Sequence, residues 1–149
     1  MNRQAFTLLE ILVVLAIIGI LAGIFGWNII RSIRTAELRE AATQVATDLR
    51  RARSQAQRGS AAVQVSFPGA TAATSYTFAG QSRTLPNGVS ISCKTNCTAA
   101  ALNVTYTAPY GELGATGSVY TVSSPVNGIT PYEIRIVGVT GKVVLTRAS

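Results

Sequence analysis

The chain has 149 residues, of which 48% are hydrophobic, and a formal charge of +7 from 13 Lys and Arg against 6 Asp and Glu. This length allows one small domain beside a long helix and excludes two domains that each have their own core. The sequence contains no His and few acids, so an enzyme that uses an acid–base pair or a nucleophilic triad is not expected.

The chain begins with a short polar leader followed by an apolar run of membrane-spanning length. The run extends from Phe6 to Trp27, and as a helix it would span about 33 Å, which matches the hydrocarbon core of a bilayer. Glu10 lies inside the run, where a charged side chain costs about 2.5 kcal/mol or more. No small-x-small cleavage site follows, so we expect this segment to stay in the mature protein. Glu10 therefore needs something that compensates for its charge.

The pattern after Trp27 becomes amphipathic and continues the same helix. Apolar residues recur at steps of three and four, namely Ile30, Ile33, Leu38, Ala41, Ala42, Val45, Leu49, Ala52 and Ala56. No proline interrupts Phe6–Arg58, and Gly59 is a favourable residue for a helix to stop at. The sequence predicts one helix of about 50 residues, with small apolar side chains against which a sheet can pack closely.

From Ser60 onward the apolar period is two, which predicts a β domain. The predicted strands are Ala62–Phe67, Ser75–Ala79, Val89–Ser92, Leu102–Thr107, Val119–Ser123, Tyr132–Val137 and Lys142–Thr146. Gly111–Gly117 is predicted to be an exposed loop, and Gly138–Gly141 to join the last two strands as a hairpin. We therefore expect an α+β fold, in which a long N-terminal helix with a transmembrane first half packs on a small antiparallel β domain.

The two cysteines, Cys93 and Cys97, enclose three residues in the sequence CKTNC. A metal site needs further ligands, and the chain has no other Cys and no His, so we expect no metal and no cofactor. A redox C-x-x-C motif has two residues between its cysteines rather than three. A structural disulfide is favoured over free thiols, provided that this domain lies in an oxidising compartment.

The stretch Ala5-Phe6-Thr7-Leu8-Leu9-Glu10, followed by the apolar run, closely resembles the processing site of type IV prepilins and pseudopilins. That family has a small residue and then Phe-Thr-Leu-x-Glu, with Gly more usual than Ala before the cut. The resemblance implies that a prepilin peptidase cuts between Ala5 and Phe6 and methylates the new Phe6 amine. It also implies that Glu10 pairs with the Phe6 amine of a neighbouring subunit in a filament.

Later parts of the chain resemble the GspH/FimT group of minor pseudopilins, in Ala46–Ala56, Leu85–Val89 and Gly141–Val144. This resemblance implies a body of two β-sheets. Some similar proteins carry a basic DNA-binding element near the C-terminus, for which Arg135, Lys142 and Arg147 are the candidates here. The tyrosines of the body either stack on single-stranded bases or line the sheet core. They are Tyr76, Tyr106, Tyr110, Tyr120 and Tyr132.

The resemblance divides the chain into a leader (1–5), a transmembrane and filament-core helix (6–27), an amphipathic helix (28–58) and a globular β domain (59–149). It implies a single-pass inner-membrane protein with its body in the periplasm, which then enters a pilus or pseudopilus at the cell surface. The expected partners are other pilins, the prepilin peptidase, the inner membrane and DNA. The expected function is that of a minor pilin in pilus biogenesis or DNA uptake, and the alternative is a minor pseudopilin of type II secretion.

Overall fold

The structure is a computed structural model that describes residues 7–67, 69, 71–98, 102–114 and 117–148, with only the backbone described for 24–27. The predicted leader, Ala5 and Phe6 lie outside the described residues. One long helix, α1, runs from Leu8 to Gly59. The chain divides into two compact units, one ending at Ile33 and the other beginning at Arg34. The second unit contains the β domain and the C-terminal half of α1.

Antiparallel strands form two sheets after the helix. The strands are β1 Val63–Ser66, β2 Ser75–Phe78, β3 Gln81–Thr84, β4 Ser90–Thr95, β5 Asn103–Thr107, β6 Glu112–Leu113, β7 Val119–Ser123, β8 Tyr132–Val137 and β9 Lys142–Arg147. The first sheet has the order β3-β2-β1-β5-β6 and the second β4-β7-β8-β9. A short 3₁₀ turn at Pro86–Gly88 leads into the second sheet. The predicted fold, a long helix on antiparallel sheets, is confirmed.

The core of the second unit is built on the apolar stripe of α1, which is the set of apolar residues that recur at steps of three and four. All the stripe residues from Leu38 to Ala56 are completely buried, and the sheets contribute large side chains such as Tyr106, Tyr120 and Ile134. Alanine at four positions of the stripe lets the helix axis approach the sheets closely, because no long side chain separates them. The predicted stripe begins too early, however, since Ile30 and Ile33 are 60% and 52% exposed.

The prediction of strands was right for all seven segments and missed two others. Edge strand β3 pairs with β2 although its side chains, apart from Arg83, are exposed, so it has no apolar alternation for a sequence to show. The predicted exposed loop Gly111–Gly117 is wrong, because it contains β6, which pairs with β5, and because Gly111 and Leu113 are buried. The helix ends at Gly59, as predicted, and the next residue, Ser60, has a left-handed backbone (φ 51°).

A buried polar contact fixes the helix on the first sheet. The hydroxyl of Tyr76 donates to Asp48 Oδ2 at 2.6 Å and accepts from Gln44 Nε2 at 3.4 Å. Burial, together with the neighbouring Asp48 carboxylate, raises the pKa of Tyr76 well above its ordinary value, so the hydroxyl keeps its proton. Asp48 is almost completely buried, and a buried carboxylate needs such a donor. The pair therefore specifies the register of α1 on the sheet.

We expect Tyr76→Phe to lower the free energy of unfolding by about 1–3 kcal/mol, because it leaves the buried Asp48 carboxylate without its short hydrogen bond. Denaturation monitored by circular dichroism measures the loss. Tyr110→Phe is the matched control, since the Tyr110 side chain is exposed, and it should change stability by less than about 0.5 kcal/mol. Equal stabilities of the two variants would contradict this role for Tyr76.

Candidate functional site

The first turn of α1 places Glu10 three residues after Thr7, the residue that precedes the helix. The backbone N–H of Glu10 donates to Thr7 Oγ1 at 3.3 Å and to the Thr7 carbonyl at 3.1 Å. Thr followed three residues later by Glu or Gln is the capping-box pattern of a helix N-terminus. The positive end of the helix dipole also favours a carboxylate in this turn. Glu10 therefore holds a helix-capping position that the sequence analysis did not assign.

The part of α1 that follows Glu10 exposes a continuous apolar surface. Its large side chains are 47–66% exposed, namely Ile11, Leu12, Val13, Val14, Leu15, Ile17, Ile18, Ile20 and Leu21. Soluble proteins rarely expose a patch of this size, and the helix is long and apolar enough to cross a membrane. A Cβ at Gly19 or Gly23 would meet nothing within 4 Å. The G-x-x-x-G segment thus lies open to another helix or to lipid.

The three basic residues predicted to contact DNA do not form one cluster. Arg135 is exposed beside buried Ile134 and Ile136, so it points away from the core. Its partner in β9 is Val144, and Lys142 lies two residues before Val144, on the same outward face. Arg147 lies five residues after Lys142 in β9, an odd spacing that puts it on the opposite face, with its guanidinium 5.9 Å from the Tyr132 ring.

The face shared by Arg135 and Lys142 also carries an acid. Glu133 lies two residues before Arg135 in β8 and forms an ion pair with Lys94 of β4. The basic residues of this sheet are therefore divided between two faces, and one of those faces includes an engaged carboxylate.

Two comparisons with known proteins identify the architecture. Residues 1–26, which include Phe6 and Glu10, match the model of the prokaryotic N-terminal methylation motif. The type IV minor pilin FimU of Pseudomonas aeruginosa PAO1 matches in two crystal forms. One is 17% identical with a TM-score of 0.56, covering 72% of this chain and 91% of FimU. The other is 15% identical with a TM-score of 0.58, covering 76% and 90%.

The chain has a type IV pilin-like fold. The prepilin-type resemblance stated from residues 5–10 is thereby confirmed at the level of the motif and the fold. The narrower GspH/FimT assignment stays a prediction. A search of curated protein sequences gives no match.

A disulfide closes the end of β4 in the pilin-like body. Cys93 and Cys97 are bonded, with their Cα atoms 5.7 Å apart, and Cys93 also packs against the core. Asn96, inside the loop, has a left-handed backbone (φ 58°) and donates from Nδ2 to the Gly117 carbonyl at 2.7 Å. The small loop therefore ties the end of β4 to the segment that leads into β7.

The sequence analysis missed a basic groove on α1 of the pilin-like body. Its lining residues are Thr47, Arg50, Arg51, Ser54, Gln55 and Arg58, and its volume is about 410 Å³. At 3.6 residues per turn these positions fall on one side of the helix, opposite the buried stripe. The sequence does carry a signal for this groove, because its lining residues recur at spacings of three and four, which places them on one side of a helix.

Proposed function

We propose that this chain is a subunit of a type IV filament that is made as a prepilin. A prepilin peptidase removes residues 1–5 by cutting between Ala5 and Phe6 and methylates the Phe6 amine. The apolar part of α1 anchors the subunit in the inner membrane as a single span, with the β domain in the periplasm. The subunit then leaves the membrane and packs its α1 against the helices of other pilins at the filament core.

The observation that carries this proposal is a prepilin-type motif attached to an apolar helix that its own body does not cover. The match at residues 1–26 supplies the processing signal, and the exposed side chains from Ile11 to Leu21 supply a surface that needs lipid or other helices. Once the subunit is extracted from lipid, neighbouring copies of such helices are the only extended apolar surroundings available in water. A filament core provides them.

The disulfide agrees with a body that folds outside the cytoplasm. Structural disulfides persist in the periplasm and are rare in a reducing cytosol, and the Cys93–Cys97 bond closes a loop at a strand end where it holds two segments together. The minor pilin of a pilus or DNA-uptake system is the function that we assign, on the basis of the likeness to the FimU fold.

We expect mass spectrometry of the chain from sheared filaments of its native host to show a methylated Phe6 at the N-terminus. Ala5→Leu should abolish cleavage and remove the protein from the sheared fraction, because a bulky side chain takes the place of the small residue before the cut. Ala5→Gly, which restores the residue more usual in prepilins, is the control and should be processed fully. An Ala5→Leu protein that is cleaved and recovered normally would contradict the proposal.

A further inference from the structure

The two sheets of the body present different side chains on their outward faces. On the first sheet, the outward positions of β1, β2, β3 and β5 hold only Ser, Thr, Asn and Gln. Water satisfies such a face, because each hydroxyl or amide group exchanges hydrogen bonds with solvent. The outward side of the first sheet therefore needs no partner.

The outward face of the second sheet carries valine side chains around an arginine. Arg135 of β8 is paired with Val119 of β7 on one side and with Val144 of β9 on the other. Directly paired residues in a sheet have Cβ atoms about 5 Å apart, so the two valines flank the Arg135 side chain. Val137, two residues further along β8, faces the same way and is 42% exposed. These three valines and Arg135 are called the valine face below.

The strand order of the second sheet leaves Val137 uncovered on one side. Strand β7 begins at Val119, so the paired strand neighbour of Val137 is Lys142 of β9 alone. Val139, in the turn between β8 and β9, is 64% exposed. Among the described residues of the body, four large apolar side chains are exposed, and Val137 and Val139 are two of them. Apolar surface thus extends from the valine face into this turn.

The cations of this face have no carboxylate of the body as a partner. Glu133 forms an ion pair with Lys94, whereas Arg135 and Lys142 form no ion pair within the part of the chain that the structure describes. An arginine among apolar side chains is typical of the core of an interface. When such a core is covered, the guanidinium needs a carboxylate that loses its water with it. The surface that fits here combines a carboxylate with apolar side chains.

The area of the face indicates which kind of partner can use it. Its four strands, about 4.8 Å apart, and their lengths of up to six residues give about 20 Å by 20 Å, or about 400 Å². A stable complex between free proteins buries about 800 Å² on each side. Half of that area suffices when the partner is already tethered nearby, because the tether raises its effective concentration. Subunits that pack through α1 are tethered in this way, whereas a freely diffusing protein is not.

A second copy of this chain is a poor occupant because of its charge. The chain has a formal charge of +7. Of the five acids of the body, Glu37, Asp48 and Glu133 are already bonded within it. The other two, Glu40 and Glu112, lie on separate elements, α1 and β6. A subunit of different sequence with an acidic surface matches the arginine better.

From the valines, the unpaired arginine and the area together, we infer that a filament subunit of different sequence docks its body on the valine face. The partner places a carboxylate on Arg135 and apolar side chains over Val119, Val137 and Val144. This contact adds to the packing of α1 and turns one side of the body toward a neighbour, while the first sheet faces solvent. The inference rests on the proposed function, which supplies the tether, and it names a surface and a partner that the proposed function leaves open.

Photo-crosslinking in the native host tests the inference. With the photoreactive residue benzoylphenylalanine at Val137, irradiation of sheared filaments should give an adduct, and mass spectrometry should identify its partner as a different, acidic pilin-type subunit. The matched control carries the same residue at Thr107, an exposed position on the outward face of the first sheet. It should give at least about fivefold less adduct, since a contact of this area covers one face of the body. Val139 is a second labelling position if the Val137 variant is unstable.

Charge variants combined with the photoreactive residue at Val137 test the role of Arg135. Arg135→Glu should lower the adduct about tenfold, because like charges then meet in the contact, whereas Arg135→Lys keeps the charge and should lower it less than about threefold. Arg39→Glu makes the same change of charge at an exposed position of α1 and should lower the adduct less than about twofold. Near-ultraviolet circular dichroism of each variant, purified in non-ionic detergent, checks that the body is folded.

The results can contradict this inference separately from the proposed function. Equal adducts from Val137 and Thr107, or an adduct between two copies of this chain, would remove the acidic partner from the valine face. Equal effects of Arg39→Glu and Arg135→Glu would assign the loss to net charge. The original chain present in sheared filaments, without an adduct at Val137 or Val139, would contradict this inference alone. Its absence from sheared filaments would contradict the proposed function and this inference with it.

Discussion

Gly117→Ala should be the most destabilising single methyl addition in the body, with a loss of about 2–4 kcal/mol in the free energy of unfolding. A Cβ at Gly117 would lie 2.2 Å from the Ile136 carbonyl oxygen and 2.6 Å from the Gly138 backbone nitrogen. Both atoms belong to the backbone at the end of β8, so no side chain can rotate away to make room. The end of β8 would have to move from β7.

Thermal denaturation followed by circular dichroism should show a melting temperature that is lower by about 10 °C for Gly117→Ala. Gly138→Ala is the matched control, because a Cβ there meets nothing within 4 Å, and its melting temperature should stay within about 2 °C. Equal melting temperatures for the two variants would mean that the close approach at Gly117 is relieved without cost.

Gly117 also shows where sequence interpretation stops. The segment Gly111–Gly117 contains three glycines and reads as an exposed turn-rich loop. In the structure these glycines have different roles. Gly111 is buried against α1 and Gly117 lies in close contact with the backbone of β8, whereas a Cβ at Gly114 would meet no atom within 4 Å. A glycine used for close packing and one used for flexibility look the same in a sequence, because the difference lies in residues distant along the chain.

The helix stripe was predictable because burial on a helix follows its period. Leu38, Val45 and Leu49 repeat at helical steps, and the structure buries all of them completely. The same rule fails at Ile30 and Ile33, since periodicity predicts which side is apolar but not where along the helix the body ends. The first unit ends at Ile33, where the covering body begins.

Among the candidate sites, a motif formed by neighbouring residues could be predicted from the sequence, whereas an arrangement that depends on the fold could not. The prepilin-type motif is local, so residues 5–10 were enough to predict it, and the match over residues 1–26 agrees. The basic residues of β8 and β9 are close in sequence, yet the pleat sends Arg135 and Arg147 to opposite faces. The turn at Tyr110 lies 53 residues along the chain from Gln57 of α1, whose side chain binds the Tyr110 carbonyl, so only the fold brings the two together.

The remaining question at the N-terminus is which of two roles makes Glu10 necessary. As the third residue of α1 it holds the position that a capping box gives to Glu or Gln, and its backbone N–H donates to the Thr7 hydroxyl. As an acid in an apolar segment it needs a cation wherever water is excluded. The two roles make different demands. A capping box accepts Glu or Gln at this position, whereas an ion pair with the Phe6 amine of a neighbour requires the charge.

We therefore expect the Glu10→Gln protein to be processed and inserted in the membrane like the original chain. Its amount in the sheared filament fraction should nevertheless be at least about tenfold lower. In the proposed filament, loss of the carboxylate leaves the neighbour's Phe6 ammonium unpaired in an apolar core, and breaking a buried pair in this way costs about 3–5 kcal/mol. Glu10→Ala, which removes both roles, should be at least as deficient. Immunoblots of the membrane and sheared fractions, normalised to total protein, measure the ratio of filament-associated to membrane-associated protein.

Thr7→Val is the control that separates the two roles. It removes the hydroxyl that accepts the Glu10 N–H but keeps the carboxylate, so it should lose about 1 kcal/mol of helix capping and still enter filaments. Recovery of Glu10→Gln at the normal level, with loss of Thr7→Val, would assign Glu10 to the cap and remove the ion pair from the assembly model. The reverse result would mean that the charge of Glu10, and not its place in the first turn, is what a neighbouring subunit recognises.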